Sequence, residues 1–270
     1  GDISVFEAGL STGSNAVANS EIATGTFTLT LTDALDNVKI SGTSISRVAL
    51  EGSNATPVIV STPNGTLTVT DYNMGTGVVS YSYTLTKAVT HANAAANNSF
   101  DEALEIRVTN VMGDMRVGTL HVNVVDDVPT PINEVAVATV AEGGVTIGSA
   151  TVGQANLLAN DTKGADGARV HQVTYTNADG VETTSVAITD GGNSGALTTQ
   201  YGKLTVFSDG TWSYTSNSVV AHGAAVQLPD SFSYTLIDAD GDISATSATQ
   251  LIQVTDTAPS IGLPDNDIVA

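Results

Sequence analysis

The residues with the most chemical potential are Asp238-Ala239-Asp240-Gly241-Asp242. Three carboxylates at alternate positions around a glycine repel one another unless a counter-ion sits among them. Oxygen ligands at this spacing suit calcium, which takes roughly six to eight oxygens in a flexible shell. The run is no EF-hand loop, because no Glu follows at the twelfth position and no helix pattern flanks it. The plainer alternative is an Asp-Gly hairpin turn with solvated acids. The whole chain leans the same way. It carries 28 acids against 8 bases, a formal charge of −20, and 20 of those acids are Asp. Asp is the acid for tight turns and for hard cations.

Other chemistries find little material. No basic patch exists to neutralise phosphates, so nucleic acid is a poor partner. There is no Gly-x-Ser-x-Gly elbow and no phosphate loop. His91 and His222 lie 8 and 9 residues before recurring Ser-Phe pairs, which reads as packing or a loop hydrogen bond, while His121 and His171 stand apart. Trp212 is the single Trp and falls on an alternating run as a core or hairpin aromatic. There is no Cys, so rigidity must come from elsewhere, and bound metal is one route. No apolar run approaches the ~18 residues of a membrane span.

The elements that must position these acids are strands. Thr26–Leu31, Leu67–Val69 and Val79–Tyr83 alternate apolar and polar residues, as do Leu204–Phe207 and Thr211–Tyr214 around Ser208-Asp209-Gly210. Asn64-Gly65 marks a similar turn. No convincing amphipathic helix is visible, although His91–Asn97 could make one helical turn. Signposts recur in order in the two halves. Val5–Gly9 returns as Val140–Gly144, Gly65–Val69 as Gly202–Val206, Ser80-Tyr81 as Ser213-Tyr214, Ser99-Phe100 as Ser231-Phe232, and Gly113-Asp114 as Gly241-Asp242. Asp126-Asp127-Val128-Pro129 returns as Asp256-Thr257-Ala258-Pro259. A period of this length is one small domain. The expected fold is therefore all-β, two tandem immunoglobulin-like antiparallel β-sandwich domains joined end to end. Residues 1–128 form the first, 129–258 the second, and 259–270 a linker toward a following repeat. Two prolines in Val128-Pro129-Thr130-Pro131 stiffen the connection.

Strand length then places the acids. Asp242 to Asp256, read mostly as one strand, spans about 45 Å at ~3.3 Å per residue. That puts the two at opposite poles of the second domain. Asp238, Asp240 and Asp242 are expected at the leading pole beside Asp126 and Asp127, with Glu142 joining them around calcium at the domain junction. Glu7, Asp114 and Asp2 are expected to face a preceding repeat, where Asn110-Val111-Met112-Gly113-Asp114 keeps only one of three carboxylates and binds weakly or not at all. Asp256, with Asp265 and Asp267, is expected to face a following one. Asn160 to Gly167 is a further acidic turn, read as turn chemistry before ligation.

These signposts resemble the tandem repeat domains of giant repeats-in-toxin (RTX) adhesins exported by type I secretion. Gly1–Leu10 and Gly65–Tyr83 look like one repeat type. Leu157–Thr162, Gly202–Tyr214 and Ser231–Asp242 are similar to cadherin-like and VCBS-type repeats. The resemblance implies calcium-stiffened sandwiches on a Gram-negative cell surface, with neighbouring repeats of the same chain as partners. It implies an extender that holds a distal ligand-binding domain, in adhesion and biofilm formation. The glycine-rich nonapeptide of the calcium β-roll is absent, so this is not the secretion-proximal end. The chain reads as a piece of something longer, non-catalytic and without membrane insertion. A carbohydrate- or protein-binding module is the alternative, and a polysaccharide-active enzyme the remote one.

Overall fold

The computed structural model describes residues 2–92, 98–149 and 154–257. The helical turn expected over His91–Asn97 falls almost wholly outside them, as does the tail 258–270 with Asp265 and Asp267. The described chain is all-β, built of β-sandwich layers, and packs as two compact units. The first gathers the chain up to Thr130 with Thr162–Ala168 and Leu236–Thr246, and the second holds Pro131–Asp161, Arg169–Thr235 and the chain from Ser247 on. The second half of the sequence therefore lends two short segments to the first unit, both of them acidic turns.

Among the described residues the first unit is built from β1 (Ile3–Phe6), β2 (Ile22–Thr28), β3 (Leu35–Ile40), β4 (Thr43–Ser46), β5 (Val58–Ser61), β6 (Gly65–Asn73), β7 (Val78–Leu85), β8 (Ser99–Asn110) and β9 (Met115–Val125). They form two sheets, ordered β1-β9-β8-β3-β4 and β2-β7-β6-β5. Period-2 alternation decides which face is buried. Along β7, Val79, Tyr81, Tyr83 and Leu85 point inward while the residues between them are only partly covered. Val38, Leu67, Val122 and Val124 meet them from neighbouring strands, each fully buried. A helix the periodicity does not show, α1 (Arg47–Glu51), follows β4. Ser46 caps it, its Oγ accepting from Ala49 N at 3.2 Å, and Arg47 pairs with Glu51 one turn on. Five residues are too few for a helical pattern to register.

The second unit contains β10 (Ala138–Ala141), β11 (Val145–Gly148), β12 (Arg169–Thr176), β13 (Glu182–Thr184), β14 (Leu197–Thr198), β15 (Gly202–Val206), β16 (Trp212–Ser216), β17 (Gln227–Pro229), β18 (Phe232–Ile237), β19 (Ala248–Gln250) and β20 (Ile252–Thr255). Its sheets run β10-β20-β17, β11-β16-β15-β14 and β13-β12-β18-β19. Trp212 is a core residue, 1% exposed, with its ring edge-on to Phe232 at 5.6 Å. The Asp209-Gly210 hairpin forms as its sequence demands, with Gly210 at φ 81°. The stretch from Asp242 to Asp256 is not one long strand. It breaks at Leu251, where β19 pairs β18 and β20 pairs β10 and β17. The buried Gln250 side chain bridges the break by donating to Ala136 O and Leu251 O.

The ladders correct one repeat equivalence. Leu67 faces Tyr83 and Leu204 faces Tyr214, so Tyr83 and not Tyr81 is the counterpart of Tyr214. A two-residue shift along a strand keeps the same face, so sequence matching alone cannot detect it. Each of these tyrosines donates to a buried carboxylate at 2.5 Å, Tyr83 to Glu102 and Tyr214 to Asp230. Burial and the adjoining acid push both phenols well above their ordinary range. The glycines opening the matched strands have a physical reason. A Cβ on Gly65 would meet the Tyr83 ring at 2.6–2.7 Å, and one on Gly202 the Tyr214 ring at 2.6 Å. Gly202→Ala is expected to cost roughly 1–3 kcal/mol by overpacking. Denaturant unfolding followed by Trp212 fluorescence checks it, since Trp212 lies on the adjacent strand.

Candidate metal centre

Parallel pairing sets the first acids of the site. β1 runs parallel to β9 and ends with Phe6 beside Val125, so Glu7 and Asp126 emerge together. In the second unit β10 runs parallel to β20 and ends with Ala141 beside Thr255, which brings Glu142 to Asp256. The surroundings match as well. Glu7 Oε1 accepts from Val89 N at 2.6 Å and lies 3.1 Å from His91 Nε2. Glu142 Oε1 accepts from Val220 N at 2.7 Å and lies 3.7 Å from His222 Nε2. Glu7, His91 and Asp126 form one group, and Glu142, His222 and Asp256 another, with ligand atoms in each within 4.8 Å of one another. Glu142, expected beside Asp238, thus groups with His222 and Asp256. The two His share a repeat position because each faces the Glu that ends the first strand of its half.

The acidic turn completes the site within the first unit. Asp238 N donates to Asp242 O at 3.2 Å, and Asp238 Oδ1 accepts from Gly241 N at 3.0 Å and Asp242 N at 2.8 Å. Gly241 takes φ 97°, which a glycine adopts at no steric cost. This closes the loop between the end of β18 and Ile243 and turns the carboxylates inward. Ligand oxygens of Asp126, Asp238 and Asp242 lie within 4.8 Å of one another, and all three residues are buried. Asp240 points beside them, its Oδ2 accepting from His91 N at 2.7 Å. Asn98 Nδ2 donates to Asp242 Oδ2 at 3.2 Å.

The first half of the chain builds the same turn with one carboxylate in place of three. Asn110 N donates to Asp114 O at 3.0 Å, and Asn110 Oδ1 accepts from Met112 N and Asp114 N. An amide oxygen thus does the turn-closing work of Asp238 Oδ1. Asp114 is exposed, accepts from Asn110 Nδ2 at 3.0 Å, and joins no group of ligand atoms among the described residues. Asp2 is exposed as well.

Electrostatics mark the three-Asp group as short of positive charge. Burial pushes the Asp126 carboxyl up to about 7, against the lowering effect of the Asp127 amide. Burial pushes Asp238 up to about 6, with Asp166 and Asp242 adding to the rise. Asp166, in the Thr162–Ala168 segment, and Glu7 are raised as well, chiefly by burial. Asp126 Oδ2 and Asp238 Oδ2 are sealed from solvent and receive no hydrogen-bond donor. A buried ionised oxygen without a donor costs several kcal/mol, so such groups take a proton or a cation. The donor set is all-oxygen carboxylate, which fits a hard divalent ion such as calcium. Asp126, Asp238 and Asp242 would hold it, and the ion would supply the charge their carboxylates lack. His91 instead holds Glu7.

Asp127 has other work. Its Oδ1 accepts from Ser14 Oγ at 2.5 Å and its Oδ2 from Ser14 N at 2.7 Å, tying down the loop after β1. Asp127→Ala is expected to lower stability by roughly 1–3 kcal/mol through these two lost bonds. Calcium stoichiometry, measured by calorimetric titration, is expected to stay at the parent value. Asp166 reads in the sequence as a turn residue. Its place beside Asp238 and Asp240 depends on where residues 162–168 pack, which no local pattern encodes.

No protein-family model matches the chain, and no curated protein matches it. Among solved structures it is similar to zebrafish RET cadherin-like domains 1 to 4, at 10% identity and a TM-score of 0.25, over 87% of this chain and 42% of that one. It is similar to the protocadherin gamma B2 extracellular cadherin domains 1–5, at 12% identity and 0.28, over 95% and 38%. It is also similar to the paired IG1 and IG2 domains of DIP-gamma, at 10% identity and 0.28, over 96% and 94%. The chain spans less than half the length of the two cadherin-type structures. The proteins it is similar to are of cadherin-like and immunoglobulin-like fold.

Proposed function

We propose that this chain is a calcium-stiffened, non-catalytic extender segment of a secreted RTX-type surface adhesin. Its work is mechanical: to hold a ligand-binding part at a distance from the cell during adhesion and biofilm formation, with neighbouring repeats of the same polypeptide as its partners. The observation that carries this reading is the buried group of Asp126, Asp238 and Asp242 with two donor-less oxygens. An ion there would fasten the Leu236–Thr246 turn to the end of β9. The turn is the direct continuation of β18 and is already closed by its own hydrogen bonds, so the ion would tie a preformed loop to the strand end. Repeated sandwiches with few aromatics and a single Trp suit a spacer better than a recognition surface. No helix among the described residues is long and apolar enough to cross a membrane.

The test is a calorimetric titration of calcium into chelator-stripped protein, paired with small-angle scattering in calcium and in EDTA. The expected result is saturable calcium uptake, weakened in Asp238→Asn, and a stiffer particle in calcium than in EDTA. Absence of calcium uptake, or uptake with no change in scattering, overturns the extender mechanism.

A further inference from the structure

The second unit holds a ligand group of its own. β10 and β20 run parallel and end together, which sets Glu142 beside Asp256. Backbone bonds fix both residues. Glu142 N donates to Thr255 O at 3.2 Å, and Asp256 N to Val226 O at 3.3 Å. The loop between β16 and β17 closes over them, with Val220 N donating to Glu142 Oε1 at 2.7 Å. Thr257 Oγ1 donates to the other oxygen, Glu142 Oε2, at 2.7 Å. The same loop brings in His222, whose turn is closed by Ala225 N donating to His222 O at 2.9 Å. One ligand atom from each of Glu142, His222 and Asp256 lies within 4.8 Å of the others.

His222 is the informative member. It is 7% exposed, and neither ring nitrogen has a hydrogen-bond partner. A buried imidazole with both nitrogens unsatisfied costs free energy unless something binds it. Its Nε2 faces Glu142 Oε1 at 3.7 Å, too far for a hydrogen bond. His91, at the same repeat position, closes to 3.1 Å on Glu7 and is satisfied there. Bonds of about 2.0–2.1 Å to a tetrahedral ion set neighbouring ligand atoms about 3.4 Å apart. The spacing at His222 therefore suits two donors of one ion better than a donor and its acceptor.

We infer that Glu142, His222 and Asp256 form a second metal site, which takes a first-row transition ion of the zinc class and not calcium. The donor set makes the choice. Imidazole nitrogen suits zinc and its neighbours, whereas calcium needs roughly six to eight oxygens. No third carboxylate joins the group among the described residues. Two carboxylates and one imidazole give zinc three protein ligands and leave the fourth position to water. The ion would neutralise both carboxylates and give the buried ring its partner. It would also fasten the β16–β17 loop to the ends of β10 and β20. It is independent of the calcium centre, whose donors Asp126, Asp238 and Asp242 all belong to the first unit.

The experiment uses the full chain, stripped of metal and then held in excess calcium, with zinc as the titrant. Uptake is read by calorimetry, and the ligating ring by NMR of the histidine side chains. Zinc is expected to bind saturably despite the calcium and to shift the signals of one ring, the one that His222→Gln removes. That variant is expected to bind zinc more than about a hundredfold more weakly, since even the outer partners of a zinc ligand are worth roughly 10–100-fold. Asp256→Asn, at an exposed strand end, is expected to weaken zinc as well, and it keeps the site testable should His222→Gln unfold. Fluorescence of the buried Trp212 reports the fold of each variant. His121→Gln, which removes an exposed ring paired with Asp101, is expected to leave uptake unchanged. Absence of zinc uptake in calcium, uptake unaltered in both His222→Gln and Asp256→Asn, or a shift at a different ring would each overturn the site.

Discussion

Stripping calcium with EDTA is expected to lower the melting temperature of the first unit by roughly 5–10 °C. An ion at about a hundred times its dissociation constant stabilises by about 2.7 kcal/mol, and a unit of this size shifts by ~2–4 °C per kcal/mol. The sharper result is a change of sign in one variant. Asp238→Asn should melt lower than the parent in calcium, because a ligand oxygen is weakened. In EDTA it should melt higher than the parent, because a buried charge whose Oδ2 has no donor has been removed. The turn itself should survive. Asp238 Oδ1 closes it by accepting from Gly241 N and Asp242 N, and Asn110 closes the corresponding turn with its amide oxygen. Calorimetry of parent and variant in both conditions decides the matter. A variant that shifts equally with and without calcium means that the carboxylates serve the turn alone.

That expectation rests on residues the sequence displays with unequal clarity. Alternation along β7, the Asp209-Gly210 hairpin and the acid set at 238–242 are local features, and each is readable within a few residues. The grouping of acids is not local. Glu142 meets Asp256 because β10 and β20 pair in parallel, and an extended-strand estimate of distance cannot reveal the direction of a pairing. His91 looks inert until Glu7, 84 residues away, is brought against its ring. Asp166 joins the acidic neighbourhood only because residues 162–168 pack with the first half of the chain. Tyr83 and Tyr81 are equally good matches to Tyr214 by pattern, and only the ladder separates them. What the sequence lacks in each case is a long-range contact.

Glu134 is expected to make the second unit more stable at pH 5.5 than at pH 8, by an amount that Glu134→Gln abolishes. Glu134 is 8% exposed, and its Oε1 accepts from Tyr234 Oη at 3.0 Å. The same phenol oxygen lies 3.1 Å from Leu157 O and 3.2 Å from both carboxylate oxygens of Asp161. One hydroxyl proton cannot serve all these acceptors. Ile132 N relieves Asp161 by donating to its Oδ1 at 2.6 Å. Burial therefore dominates at Glu134 and pushes its carboxyl up to about 7, Asp161 adding to the rise and the Tyr234 bond opposing it. A carboxyl whose folded value exceeds its unfolded value of about 4.5 favours folding while protonated. That stability is fully present below the unfolded value and is lost as pH rises through the folded one. The full swing is on the order of 3 kcal/mol. The amide side chain of the Glu134→Gln variant keeps a carbonyl for the Tyr234 hydroxyl and places a donor near the Asp161 carboxylate, with no charge left to bury. The variant should gain most at pH 8 and least at pH 5.5. Trp212, the single Trp and a core residue of the same unit, reports the unfolding directly. A parallel pH dependence in parent and variant would mean that Glu134 already carries its charge without cost, and that the second unit owes its pH response to other groups.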